Sequence, residues 1–126
     1  MLRISRAALA LFFVAAGITH FVSPGAYLAI VPPSLPWPGA LVYLSGVAEI
    51  AGGIGVLIPR TRRAAALGLM LLLVAVFPAN VYAALHGMQL AGRAVPSWIL
   101  WARLPLQGLL IAWVYFASWK DAERPR

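Results

Sequence analysis

The chain contains no cysteine. Disulfide staples, thiol–disulfide exchange, iron–sulfur ligation and cysteine-based zinc sites are therefore excluded for this chain alone. Charge is nearly as scarce: 10% of residues are Asp, Glu, Lys or Arg, against about 25% in an ordinary soluble domain. No polar stretch is long enough to make a separate soluble domain. His20 and His86 have no histidine or carboxylate partner at metal-ligand spacing, so no metal is expected. Gly46, Gly52, Gly53 and Gly55 lie inside an apolar run rather than between a strand and a helix, which excludes a phosphate-binding loop. They instead suit close helix contact, with Ala48/Gly52 and Ala51/Gly55 as small-xxx-small pairs.

What remains is apolar. Hydrophobic residues make up 63% of the 126, and the mean hydropathy is +0.88. A membrane span needs about 20 apolar residues at 1.5 Å each. Segments 5–21, 39–58, 64–85 and 97–119 meet that need, with Pro24, Pro59, Gly87 and Pro96 as breakers at their junctions. Ser97 is the expected N-cap of the last span, and Ser23 that of a short extra helix before the second. Residues 22–38 carry no charge and five prolines, which predicts a short interfacial helix followed by a stiff return, either a cover over the outer mouth of the bundle or a plain interfacial connector. Tyr27, Trp37, Tyr43 and Trp98 would form the outer aromatic belt, and Trp119 belongs to the inner one.

The net charge of +7 would suggest nucleic acid in a soluble protein. Here the basic residues flank apolar segments, where they orient a membrane protein. Arg3, Arg6, Arg60, Arg62, Arg63, Lys120, Arg124 and Arg126 fall on one side, and Arg93 alone on the other. The expected architecture is thus an all-α, integral membrane four-helix bundle in a single domain, with both termini cytoplasmic. The basic start and apolar core of the first segment imitate a signal peptide. No clean A-x-A site follows, so a retained helix is expected.

Glu49 is the most informative residue. A carboxylate near the bilayer centre costs about 2.5–3.5 kcal/mol even on the lenient insertion scale. It persists by facing a protein interior, pairing with a cation or staying protonated. Glu49 lies roughly 15 Å below the outer end of its helix, Gln107 is similarly deep, Asn80 and Arg103 are about 8–9 Å down, and His20 is near the surface. Arg103 and Gln107 share one helix face, as do Ser45 and Glu49. Pro78 and Pro105 should free the carbonyls of Val74 and Trp101 and open a small cavity beside Asn80 and Arg103. Arg103 is within reach of Glu49 as a structural pair, or else snorkels to lipid phosphates. Asn80 also fits plain interhelical bonding, and His20 an interfacial residue.

Four runs carry a family resemblance: AGITHF at 16–21, SGVAEI at 45–50, FPANVY at 77–82 and RLPLQ at 103–107. In order and over nearly the whole chain, they resemble the DoxX-like family of small four-helix bacterial membrane proteins. That family is named for a subunit associated with quinone-linked oxidation of sulfur compounds. The resemblance implies a bacterial inner-membrane location and a site at His20, Glu49, Asn80, Arg103 and Gln107; redox chemistry in a chain without cysteine would need a bound quinone as cofactor or a redox partner subunit.

Three functions fit the residues. The first is a membrane redox accessory whose polar layer binds a quinone headgroup, with Glu49 or His20 moving protons. The second is a non-enzymatic scaffold packed against a larger membrane partner. The third is a carrier or ion path through Glu49, which would need a homo-oligomer because four short helices enclose little volume and no inverted repeat is evident.

Overall fold

The computed structural model describes residues 2–90 and 92–119. Lys120, Arg124 and Arg126, counted above among the basic flanks, lie outside them. Helix α1 spans Leu2–Val22, the short α2 spans Pro24–Leu28, α3 Pro38–Gly55, α4 Arg62–His86 and α5 Ser97–Val114. A π-helical turn, Tyr115–Trp119, continues α5.

Local chemistry sets most boundaries. Proline cannot donate to a preceding turn but suits the first turn of a helix, and α2 and α3 each begin on one. Ser23 occupies the N-cap of α2 without a side-chain cap. The cap expected of Ser97 is not made: Pro96 takes that position and Ser97 is already helical. Gly87 closes α4 at φ 88°, a conformation open to glycine, and its N–H bonds the Ala83 carbonyl at 2.7 Å. Beyond it lies a feature the sequence did not announce, a two-stranded hairpin pairing Gln89 with Ala94 and Leu90 with Arg93.

Three of these helices, Arg3–Val22, Arg62–His86 and Ser97–Trp119, are long and apolar enough to cross a membrane. Helix α3 is not among them. It ends at Gly55 rather than continuing to residue 58, leaving 18 residues, and Glu49, Ser45 and its glycines lower its hydropathy. At 1.5 Å per residue it is about 27 Å long, slightly under a hydrocarbon core of about 30 Å.

The packing runs α1–α3–α4–α5, with the π-helical turn returning to α1. Glycines set the first two contacts. A Cβ on Gly17 would lie 2.7 Å from the Gly46 carbonyl oxygen, and one on Gly53 3.0 Å from that of Ala10. On the other side of α3, a Cβ on Gly52 would meet Leu69 and one on Gly55 would lie 2.7 Å from Ala65 Cβ, both on α4. The close contact is as expected, but the pairing differs. Ala48 and Ala51 are exposed, and Gly46 and Gly53, seven residues apart, form the seam with α1.

Two apolar clusters result. Leu9, Phe13, Val56, Leu69, Leu73 and Val114 fill the end of the bundle nearer the termini. Ile30, Ala83, Ala84, Met88 and Leu100 fill the other. The polar residues lie between them.

Candidate functional site

The five polar residues singled out from burial cost, His20, Glu49, Asn80, Arg103 and Gln107, all line one cavity of about 300 Å³. They arrive there from four helices because α1 and α3 are locked in register by glycine. The two helices run antiparallel: Gly17 faces Gly46 and Ile50, and a Cβ on Gly46 would lie 2.9 Å from His20 Cβ, so His20 packs over Gly46, three residues before Glu49. His20, Glu49 and Gln107 are buried, and Asn80 and Arg103 are half-buried.

The cavity has two unlike walls. On the α4–α5 side a directional chain runs through the side chains. Arg103 Nη2 donates to Asn80 Oδ1 at 2.9 Å. Asn80 Nδ2 then donates to Gln107 Oε1 at 2.7 Å, and Gln107 Nε2 donates to the Leu73 carbonyl. Arg103 Nη1 also approaches Met88 Sδ at 3.4 Å. Donor capacity is left over, since an amide NH₂ carries two hydrogens and a guanidinium five.

On the α1–α3 side, His20 Nδ1–H donates to the Ala16 carbonyl at 2.9 Å, and Glu49 Oε2 stands 3.6 Å from the same nitrogen. Holding the proton on Nδ1 leaves Nε2 as an acceptor in the neutral ring. Tyr27 stacks on the imidazole with centroids 3.9 Å apart, and its hydroxyl meets Thr19 Oγ1 at 2.5 Å. Glu49 Oε2 is fully buried and has no hydrogen-bond donor. Leaving such an oxygen unsatisfied costs about 1–3 kcal/mol, and more when it is charged.

Several expectations are corrected here. Among the described residues no ion pair joins Glu49 to Arg103: the carboxylate's near neighbour is His20, and the guanidinium turns to Asn80 and Met88. The carbonyl served by Gln107 is that of Leu73, one residue before Val74. Tyr27, expected in the outer aromatic belt, is half-buried and stacks on His20. His86 stays away from the site, with its ring 4.3 Å from that of Tyr82. Tyr27 and Ile30 escaped the sequence reading because both follow the Ser23–Pro24 break, where helical spacing no longer reports which side chains meet.

The return after α2 covers the cavity. Ile30 is 3% exposed and packs into the Ala83–Leu100 cluster, while Val31, Pro32 and Leu35 line the space below. The whole is thus a small helical protein, with three helices apolar enough to cross a membrane, around a largely apolar cavity that holds a polar cluster under a proline-rich cover. It belongs to a family defined by a domain of unknown function, DUF8561, whose model matches residues 9–118 and so includes all five site residues. No curated protein and no solved structure matches the chain.

Proposed function

We propose that this is a multi-pass protein of the bacterial inner membrane, of the DoxX-like type, that binds a membrane quinone in its central cavity. It would act there as an accessory subunit of a quinone-linked redox system. In this reading four helices cross the bilayer with both termini in the cytoplasm, α3 among them. Two features support insertion. Leu11, Leu71 and Leu109 face outward while Glu49, His20 and Gln107 face inward, the reverse of a water-soluble protein. Arg60, Arg62 and Arg63 also lie at the same end as Arg3 and Arg6, which fits the positive-inside rule.

The observation that carries the ligand is the buried Glu49 oxygen without a donor, facing spare donors across about 300 Å³. A quinone carbonyl accepts from Arg103, Asn80 or Gln107. The hydroxyl of the reduced quinol can donate to Glu49. In this reading the two electrons of the quinone–quinol conversion are exchanged with a partner subunit, and the part of Glu49 is to hold a proton. The test is titration of an isoprenoid benzoquinone into nanodisc-embedded protein, read by tryptophan quenching. Arg103→Gln should weaken binding about tenfold, the loss of one hydrogen bond to a charged donor. Glu49→Gln should weaken the quinol more than the quinone. Non-saturable quenching, identical in both variants, would sink the reading.

The closed chain from Arg103 to the Leu73 carbonyl favours a second reading. It ties α4 to α5 without any ligand, as a non-enzymatic scaffold would require. In that case Asn80→Ala loosens the fold and quinone has no effect on stability.

A further inference from the structure

We infer that the cavity is loaded sideways from the bilayer, through a gap between α1 and α5, and that its ligand carries a single apolar tail which stays in that gap. The inference rests on the reading of the cavity as a ligand site and specifies how that ligand is shaped.

The other routes are narrower. Ile30 and the residues after it cover one end, although Leu35 stays partly exposed there, and Leu9, Phe13, Leu69, Leu73 and Val114 pack the opposite end. Glycine contacts join α1 to α3 and the nearer half of α3 to α4. Farther along that seam, where α3 and α4 are in direct contact, Ala75 lines the cavity and is exposed between half-buried Leu72 and Val76. The Arg103–Asn80–Gln107–Leu73 chain ties α4 to α5.

The α1–α5 seam is different. It is fastened near the termini, where Trp113 Nε1 donates to Ser5 Oγ at 2.8 Å and Arg6 Nη1 to the Ala117 carbonyl at 3.4 Å. Following the same faces outward, Ser5 leads to Phe12 and Ala16 (i+7 and i+11), and Trp113 leads back to Leu110 and Leu106 (i−3 and i−7). These four residues line the cavity, yet Phe12 is 43% and Leu106 46% exposed. Side chains that face both the cavity and the outside, on two helices that barely touch one another, mark an opening between them. An apolar groove on α1, formed by Ala8, Leu11, Phe12, Ala15, Ala16 and Thr19, shares Phe12 and Ala16 with the cavity. The tail of a ligand whose head sits between Glu49 and Asn80 therefore has a continuous apolar path along α1. A water-soluble ligand has no use for it.

The test is native mass spectrometry of protein extracted gently from its own membrane, with extraction and identification of the retained molecule. Wild type is compared with Ala16→Trp and Leu106→Trp, which plug the gap from either side, and with Leu71→Trp, an exposed position on α4 outside the cavity lining. Circular dichroism melting checks that each variant is folded, and Leu106, being exposed, tolerates the larger ring. Wild type should hold one single-tailed molecule, with occupancy falling at least fivefold in both gap variants and unchanged in Leu71→Trp. Undiminished occupancy in the folded gap variants, an equal loss in Leu71→Trp, or a wild type holding no molecule or a tailless one would overturn the inference. A single-tailed lipid other than a quinone, lost in the same two variants, would support the lateral gap and remove the quinone reading.

Discussion

Gly17→Ala is the sharpest test of how the site is assembled. A Cβ there would lie 2.7 Å from both the Gly46 carbonyl oxygen and Ile50 Cγ1. Ile50 can rotate; the Gly46 carbonyl belongs to helix backbone and cannot. Ordinary contact distances are about 3.5–4.0 Å, so α1 and α3 must separate locally by roughly 0.8–1.3 Å. Overpacking of this kind costs about 1–3 kcal/mol. Replacing glycine by alanine inside a helix also gains about 1 kcal/mol, so the variant needs a control with the same gain and no clash. Gly68 in α4 is that control, because a Cβ on it meets nothing within 4 Å. Reversible unfolding in mixed micelles, followed by circular dichroism, should place Gly17→Ala about 1–3 kcal/mol below Gly68→Ala. Agreement of the two within about 0.5 kcal/mol, the scatter of independent sites, would refute the close α1–α3 seam. Widening that seam also moves His20 away from Glu49, so ligand retention should fall in Gly17→Ala and not in Gly68→Ala.

Asn80→Ala removes the middle of the side-chain chain, leaving Gln107 Oε1 without its donor and Arg103 Nη2 without its acceptor. A loss of about 1–3 kcal/mol in the same unfolding assay is expected, and no loss would show that α4 and α5 are held by packing alone. Ile30→Ala takes a nearly fully buried side chain out of the cover and should cost about 2–4 kcal/mol. It should also admit water-soluble thiol reagents to a single cysteine placed at Ser45, a background-free measurement because the chain has no cysteine of its own. Equal labelling rates with and without Ile30→Ala would show that the return after α2 does not seal the cavity.

The sequence by itself determined the helical segments and the polar residues at stake. Apolar runs bounded by Pro24, Pro96 and Gly87 leave the backbone few options, and the cost of burying Glu49, Arg103 or Gln107 among apolar neighbours is written in the composition of each run. Helical spacing also fixed which residues share a face, as with Arg103 and Gln107. Only the tertiary structure decided who meets whom. The partner of Glu49 is His20 rather than Arg103, because the glycine seam sets the α1–α3 register and Asn80 intercepts the guanidinium first. Tyr27 lies on His20, and Ile30 enters the α4–α5 cluster, because the chain reverses at Ser23 and returns through prolines whose path no periodicity encodes. The hairpin after Gly87 and the gap beside Phe12 have the same origin. Both depend on how far apart helix ends and helix faces come to rest, a property of packing that no single segment carries.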